Sequence, residues 1–327
     1  MSEHLLGAAA ACGCLVMWNL LGGCGSEDST SARSADTPSA QDAGEGDDSS
    51  TEQDGDEPWD DADASSEEPG PDASDKGSQP PQDSALCHLA GEQVAVLGDS
   101  YVALDPTYVK FDTHPFTRNL EALARSAGAL GESEQYRRLA VSGASMNGFP
   151  NVPAQLDGAL ESDPDLKLII MDGGGNDVLV NNRQCLEHAT ADELLRDESC
   201  VGTVDDVLAA AQGMFDKASA AGVESVVYFF YPHLPGYASG YLNLAGTYPN
   251  VMLDYAYPRM QAFCTGQHAL PCTFVDMRPV FDTDGDGAPD PGMINVDGIH
   301  PTEASSKLLA AEVWKVMRRE CLAVERP

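Results

Sequence analysis

A three-layer α/β fold, with helices on both faces of a mainly parallel sheet, is predicted by three features of this sequence. Short apolar runs recur between residues 94 and 275, segments with helical spacing alternate with them, and glycine-rich polar motifs follow several of the runs. Strands buried on both faces of a parallel sheet read as continuous apolar stretches rather than as an alternation.

Four such runs stand out: Val94–Leu97, Leu166–Met171, Ser225–Phe230 and Thr273–Val275. A weaker candidate at Tyr136–Val141 brings the expected sheet to five strands. Between them, Thr203 and Asp206 read as a capping box that opens a helix with Val204, Val207, Leu208, Ala211 and Phe215 on its buried face. Pro301 suits a helix N-terminus, and Leu309, Val313, Val316 and Met317 follow at helical spacing. Right-handed crossovers would then bring the loops at the C-terminal strand ends to one edge, where open α/β sheets bind ligands. No internal repeat is evident.

Three segments of different character divide the 327 residues. Residues 1–24 read as an export signal: Leu5 to Leu21 is largely apolar, and small residues follow. Leu21-Gly22-Gly23-Cys24 resembles the lipobox of bacterial lipoproteins, which implies acylation of Cys24 and a membrane anchor. The leader Met1-Ser2-Glu3-His4 departs from that pattern in having no Lys or Arg, so simple secretion remains the alternative. The expected location is the cell envelope, periplasmic or cell-surface, or else the medium.

Residues 25–85 carry nineteen Asp and Glu against Arg33 and Lys76 and almost no large apolar side chains, which predicts a disordered acidic linker. As a flexible coil, about 60 residues reach roughly 40–45 Å, enough to hold a folded domain off a surface. The net charge of −35 argues against nucleic acid as a partner. About half of it lies in the linker, so it says little about a site in the folded part.

Residues 86–327 suffice for one α/β domain with a full core, expected as a monomer. They contain six cysteines, and an even count in an exported chain predicts three disulfides. Six cysteines allow fifteen connectivities. The preferred set is Cys185–Cys200 and Cys264–Cys272 as local loops, with Cys87–Cys321 joining the domain's ends. The spacing is too loose for a cysteine metal site.

The chemistry lies in four ordered blocks: Gly98-Asp99-Ser100, Val141-Ser142-Gly143-Ala144, Gly173-Gly174-Gly175-Asn176-Asp177 and Asp297-Gly298-Ile299-His300-Pro301. Each is weak alone, since a Gly-Asp-Ser turn is common and a glycine run can be a plain turn. The run lacks the Lys-Ser/Thr of a phosphate loop. Together they supply the parts for acyl transfer. Ser100 is a nucleophile once a base takes its proton, His300 is the candidate base, and Asp297 can fix its tautomer. The backbone N–H groups of Ser100 and Gly143 and the amide of Asn176 are candidate oxyanion donors. Asp99 and Asp177 read as loop braces.

In this order the blocks resemble the SGNH (GDSL-type) hydrolases, a likeness spanning most of Gln93 to Cys321 and carried by those short motifs. The resemblance implies a flavodoxin-like fold and ester or thioester hydrolysis without a cofactor for catalysis. It covers lipases, lysophospholipases, thioesterases and carbohydrate acetylesterases. Short acyl or O-acetyl esters of carbohydrates or lipids are the expected substrates. The aromatic run Tyr228–Tyr231 with Tyr237 and Tyr241 is a candidate for rings near the site.

The segment Asp282-Thr283-Asp284-Gly285-Asp286-Gly287-Ala288-Pro289-Asp290 places carboxylates at calcium-loop spacing, with Asp282, Asp284, Asp286 and Asp290 as candidate ligands. It resembles thrombospondin type 3 and EF-hand-like loops, but Met293 stands where an EF-hand has its glutamate. A solvated acidic turn is the plainer reading. Two further functions use the same chain: a non-catalytic, calcium-dependent surface binding module, and an acyltransferase with a sugar acceptor.

Overall fold

In the computed structural model, residues 84–104, 113–235 and 246–326 are described, all within one compact unit, Ala73–Pro327. Cys24, the leader and the acidic segment up to residue 83 lie outside the described residues, as do Tyr237 and Tyr241. Among the described residues no helix is long and apolar enough to cross a membrane.

The chain runs β1 (Val94–Leu97), α1 (Ser100–Ala103), α2 (Pro115–Ser126), β2 (Arg137–Arg138), α3 (Val152–Ser162) and β3 (Leu168–Met171). It continues with α4 (Ala191–Leu194), α5 (Glu198–Ala220), β4 (Ser225–Phe229), α6 (Pro249–Cys264), β5 (Cys272–Val275), α7 (Arg278–Phe281) and α8 (Glu303–Glu320). The five strands form one sheet in the order β2-β1-β3-β4-β5, every neighbouring pair parallel. This is the flavodoxin-like order. Register runs Val94 beside Leu168, Leu168 beside Ser225, and Val226 beside Cys272.

The chain moves one way across the sheet from β1 to β2 and the other way from β2 onward. Right-handed crossovers therefore place α2 on one face and α3, α5 and α6 on the other. α2 packs on α8, while α3 packs on α5 and α5 on α6. The central strands β1, β3 and β4 are buried along their whole length, which explains their unbroken apolar sequence.

Three local expectations need adjustment. The long helix α5 begins at Glu198, not at Thr203, because the Asp197 carboxylate caps it by accepting from the Ser199 and Cys200 N–H groups. Thr203 lies inside the helix, where its hydroxyl donates to the Ser199 carbonyl. Likewise Thr302, one residue after Pro301, caps α8 by accepting from the Ser305 N–H. β2 is also shorter than the run Tyr136–Val141 implies: Arg137 and Arg138 pair with β1, and beyond them only the Leu139 and Val141 N–H groups still reach the Val96 and Gly98 carbonyls.

Three disulfides form with the expected partners: Cys87–Cys321, Cys185–Cys200 and Cys264–Cys272. In the chain-entropy picture a loop of the Cys185–Cys200 size contributes about 3 kcal/mol.

Candidate active site

β1 and β3 are the neighbours between which the chain's direction across the sheet reverses. Such a switch point leaves a crevice at the C-terminal strand ends. Ser100 follows β1 there and Asn176 follows β3.

The nucleophile turn is built tightly. Gly98 has φ +141°, and a Cβ on it would lie 1.6 Å from Asp172 Oδ1, so the position has room for glycine alone. Gln155 of α3 pins the same residue from both sides: its Oε1 accepts from the Gly98 N–H and its Nε2 donates to the Gly98 carbonyl, each at 2.8 Å. Asp99 caps α1, with Oδ1 accepting from the Tyr101 N–H at 3.0 Å and from the Tyr231 hydroxyl at 2.8 Å. Its own N–H donates to Asp172 Oδ1 at 2.9 Å. Ser100 thus opens α1 with its hydroxyl facing the crevice's other side.

That side is the loop before α8. His300 Nε2 lies 2.8 Å from Ser100 Oγ, and His300 Nδ1 lies 2.5 Å from Asp297 Oδ2. Asp297 Oδ1 accepts from the Ile299 and His300 N–H groups at 3.1 Å each, which fixes the carboxylate against the ring. The loop closes on itself through an antiparallel bridge between Ile294 and Pro301 and through the Asn295 N–H to the His300 carbonyl at 2.8 Å. The Tyr101 hydroxyl crosses from the nucleophile turn to the Ile299 carbonyl at 2.6 Å. The Tyr101 ring leans on Tyr231 with centroids 3.8 Å apart.

The third wall carries the other candidate groups. Asn176 is buried, and one N–H of its amide donates to the Ala144 carbonyl at 2.7 Å, which holds it against the Gly143 loop. The other N–H remains for a ligand. The N–H groups of Ser100 and Gly143 are not used by the described hydrogen bonds. Asp177 is a brace, as expected: its carboxylate accepts from the Met146 and Asn147 N–H groups at 2.7 and 3.0 Å. Burial pushes its carboxyl above the ordinary value, against the pull of those N–H groups.

From Gly143 a cavity of about 710 Å³ extends over the loop 145–149 to the face of α5. Its lining is polar, including Asn147, Asn181, Glu198 and Asp206, with the fully exposed Phe149 ring at the edge. Lys and Arg do not contribute to this lining. The Cys185–Cys200 bridge ties the segment after Asn182 to α5, so it fixes two walls against each other.

The aromatic run lies in the core, with Tyr231 reaching the nucleophile turn through its hydroxyl on Asp99. Tyr228, Phe229, Phe230 and Tyr231 are at most 2 % exposed, so they support the site from below rather than line it. In the acidic loop, Asp282, Asp284 and Asp290 place carboxylate oxygens within 4.8 Å of one another. Asp286 stands apart from that group, with Oδ1 accepting from the Ala288 N–H. Asp172, Tyr101 and Gln155 were not singled out from sequence, and Tyr231 was singled out only as part of the aromatic run. The signal for Asp172 was present, an acid ending the apolar run Leu168–Met171.

A hydroxyl, an imidazole and a carboxylate in hydrogen-bonded series at the switch point of a flavodoxin-like sheet are the features of a serine hydrolase. The sequence model described as GDSL-like Lipase/Acylhydrolase matches residues 94–313, and the chain belongs to that family. It is therefore an ester-cleaving serine hydrolase. Solved structures similar to it include the lipase Lip_vut3 from a goat rumen metagenome, at 15 % identity and TM-score 0.47, covering 67 % of this chain and 94 % of that one. Est24, a carbohydrate acetylesterase from Sinorhizobium meliloti, is 17 % identical with TM-score 0.41 over 69 % of this chain and 97 % of its own. An aryl esterase of M. smegmatis in inhibitor-bound form is 21 % identical with TM-score 0.41, again over 69 % and 97 %. No curated protein sequence matches.

Proposed function

We propose that Ser100, His300 and Asp297 are the catalytic triad of an esterase that removes short acyl groups, O-acetyl above all, from a neutral polyhydroxyl alcohol such as a carbohydrate. The observation that carries the triad is the unbroken series Ser100 Oγ to His300 Nε2 at 2.8 Å and His300 Nδ1 to Asp297 Oδ2 at 2.5 Å. Ser100 Oγ attacks the ester carbonyl carbon while His300 Nε2 takes its proton. Asp297 stabilises the imidazolium that forms. The oxyanion is met by the N–H groups of Ser100 and Gly143 and by the second amide N–H of Asn176. The C–O bond to the alcohol then breaks, and the leaving oxygen takes the proton from His300. Water attacks the acyl-enzyme by the same route and restores Ser100.

The cavity beside Gly143 supports the substrate class. Its amides and hydroxyls match a hydroxylated ligand, Phe149 offers a ring face to a sugar, and Phe149 is the one large apolar side chain in the lining that a long acyl chain would meet. The glycan acetylesterase name carried by one similar structure is in keeping with this reading. Glu198 and Asp206 disfavour an anionic ligand.

The same proposal places the protein in the cell envelope, anchored through an acylated Cys24 and held off the membrane by the acidic segment. The apolar leader and three disulfides support an oxidising compartment. A calcium ion at the 282–290 loop belongs to it as a structural, not catalytic, feature, supported by the three gathered carboxylates.

The test is hydrolysis of p-nitrophenyl acetate by wild type, Ser100→Ala and His300→Ala with disulfides intact. The expected outcome is a loss of roughly 10⁴–10⁶ in turnover in both variants. Wild-type rates in either folded variant would remove that residue from the mechanism.

A further inference from the structure

Beneath the nucleophile lies a pair of acids that the triad does not use. Asp99 and Asp172 are both 0 % exposed, and the two residues meet directly, the Asp99 N–H donating to Asp172 Oδ1 at 2.9 Å. Three donors are accounted for. The Asp99 N–H reaches Asp172 Oδ1, and the Tyr101 N–H and the Tyr231 hydroxyl reach Asp99 Oδ1. The remaining oxygens, Asp99 Oδ2 and Asp172 Oδ2, are buried and take no donor from the rest of the protein. Two carboxylates are acceptors only, so they cannot bond each other unless one carries a proton. Two unpaired anions at this depth would each cost several kcal/mol.

The surroundings offer little to neutralise a second charge. Tyr101, Tyr228 and Tyr231 face the pair from α1, β4 and the segment after β4; Tyr228 donates to the Gly173 carbonyl. Gln155 of α3 is taken by Gly98. Asp177 adds a further acid beyond Tyr228, and His300 acts on Asp99 from the opposite side of the crevice in the sense that favours its charged form. Burial first, and the Asp99 charge second, push the Asp172 carboxyl well above the ordinary 3.8. Burial raises Asp99 as well, against the N–H and hydroxyl groups that favour its charged form.

We propose that Asp172 is a positioning residue that carries one proton and donates it to Asp99, so that the pair holds a single negative charge under Ser100. Asp99 then stays fully bonded as the cap of α1 and keeps the Ser100 N–H pointed into the crevice. Through the Tyr231–Tyr101 stack and the Tyr101 hydroxyl on Ile299, the same charge is tied to the loop that carries His300. Losing the proton at alkaline pH would set two anions against each other one residue from the nucleophile. The enzyme should then lose activity on the alkaline side for a reason unrelated to its base.

The sign of the stability effect follows from the same proton. A carboxyl whose folded value is raised contributes its full stability below the ordinary 3.8, and that contribution is lost as pH rises through the folded value. Asp172→Asn keeps an oxygen for the Asp99 N–H and supplies a permanent N–H to Asp99 Oδ2, without titrating. Asp172→Leu supplies neither.

Wild type, D172N and D172L are compared with p-nitrophenyl acetate and by melting temperature between about pH 5 and pH 10. The expected result is D172N within about threefold of wild type at neutral pH and D172L lower by roughly 10²-fold. D172N keeps its kcat/KM where wild type declines at alkaline pH. The melting temperature of wild type falls relative to that of D172N as pH rises. D172N as inactive as D172L, or a melting difference that does not change with pH, would overturn the proposal. Should D172N fail to fold, the wild-type infrared spectrum decides: a protonated-carboxyl stretch at neutral pH supports the shared proton, and its absence overturns it. The kinetic arm rests on the triad reading, whereas the thermal and infrared arms do not. A wild type without esterase activity would therefore sink the triad while leaving the acid pair to be judged on the other two.

Discussion

Ser100 sits on a turn gripped from below by buried groups of three neighbouring elements, whereas His300 and Asp297 ride a loop braced chiefly by its own backbone. On the serine side, Gln155, Asp172 and Tyr231 reach residues 98–99 from α3, the end of β3 and the segment after β4. On the histidine side, backbone bonds such as Asn295 N–H to the His300 carbonyl and Thr302 N–H to the Met293 carbonyl join residues 293–302 to one another, and the side chains of Asp297 and His300 keep 13 % and 17 % of their exposure. The difference teaches where accuracy is needed. The serine must hold its oxygen and its N–H in fixed directions at once, while the imidazole has to follow a proton from nucleophile to leaving group. The Tyr101 hydroxyl is the strut that couples the two sides.

Three substitutions bear on this comparison. Gly98→Ala should do the most harm, because its methyl group would displace the buried Asp172 carboxylate and strain a φ of +141°. About 3 kcal/mol of stability should go, read by urea unfolding, with roughly 10³-fold in kcat/KM. A mild effect would show the nucleophile turn to be far less rigid than its hydrogen bonds imply. Asn176→Ala removes one donor of the third wall and leaves both sides in place. Turnover should fall about 10²–10³-fold, and stability by about 1–2 kcal/mol because the buried Ala144 carbonyl loses its donor. Tyr101→Phe should be the gentlest: it cuts the strut, leaves the Ile299 carbonyl unpaired and costs about 1–2 kcal/mol. A drop of roughly tenfold in kcat, with KM held, is expected if the histidine loop drifts. An unchanged kcat would mean that the loop holds its own position.

Much of this arrangement was legible in the sequence because it depends on local signals. The runs Val94–Leu97 and Leu168–Met171 announce strands buried on both faces. Gly98-Asp99-Ser100 and Asp297-x-x-His300 follow elements whose ends a parallel sheet gathers at one edge. The even cysteine count and the loop separations were enough to favour the observed pairing. What escaped was set by tertiary contact. Gln155 looks like any polar helix residue until the Gly98 backbone is placed against it. Tyr231 reads as core or as a substrate platform, and only its hydroxyl on Asp99 tells which. The start of α5 was misread because Thr203 with Asp206 offers a plausible cap, while the Asp197 carboxylate takes two N–H groups and wins. The polar cavity draws on α5, the loop 145–149 and the segment after β3, a combination that no sequence window contains.

The bridge between Cys87 and Cys321 has a mechanical meaning. It lies seven residues ahead of β1, the central strand that delivers the nucleophile, and reaches the residue that ends α8. Traction applied to the chain ahead of Cys87 passes through the sulfurs into the last turn of α8 and is spread over the helical layer. β1, and the turn it carries, then bear only part of the load.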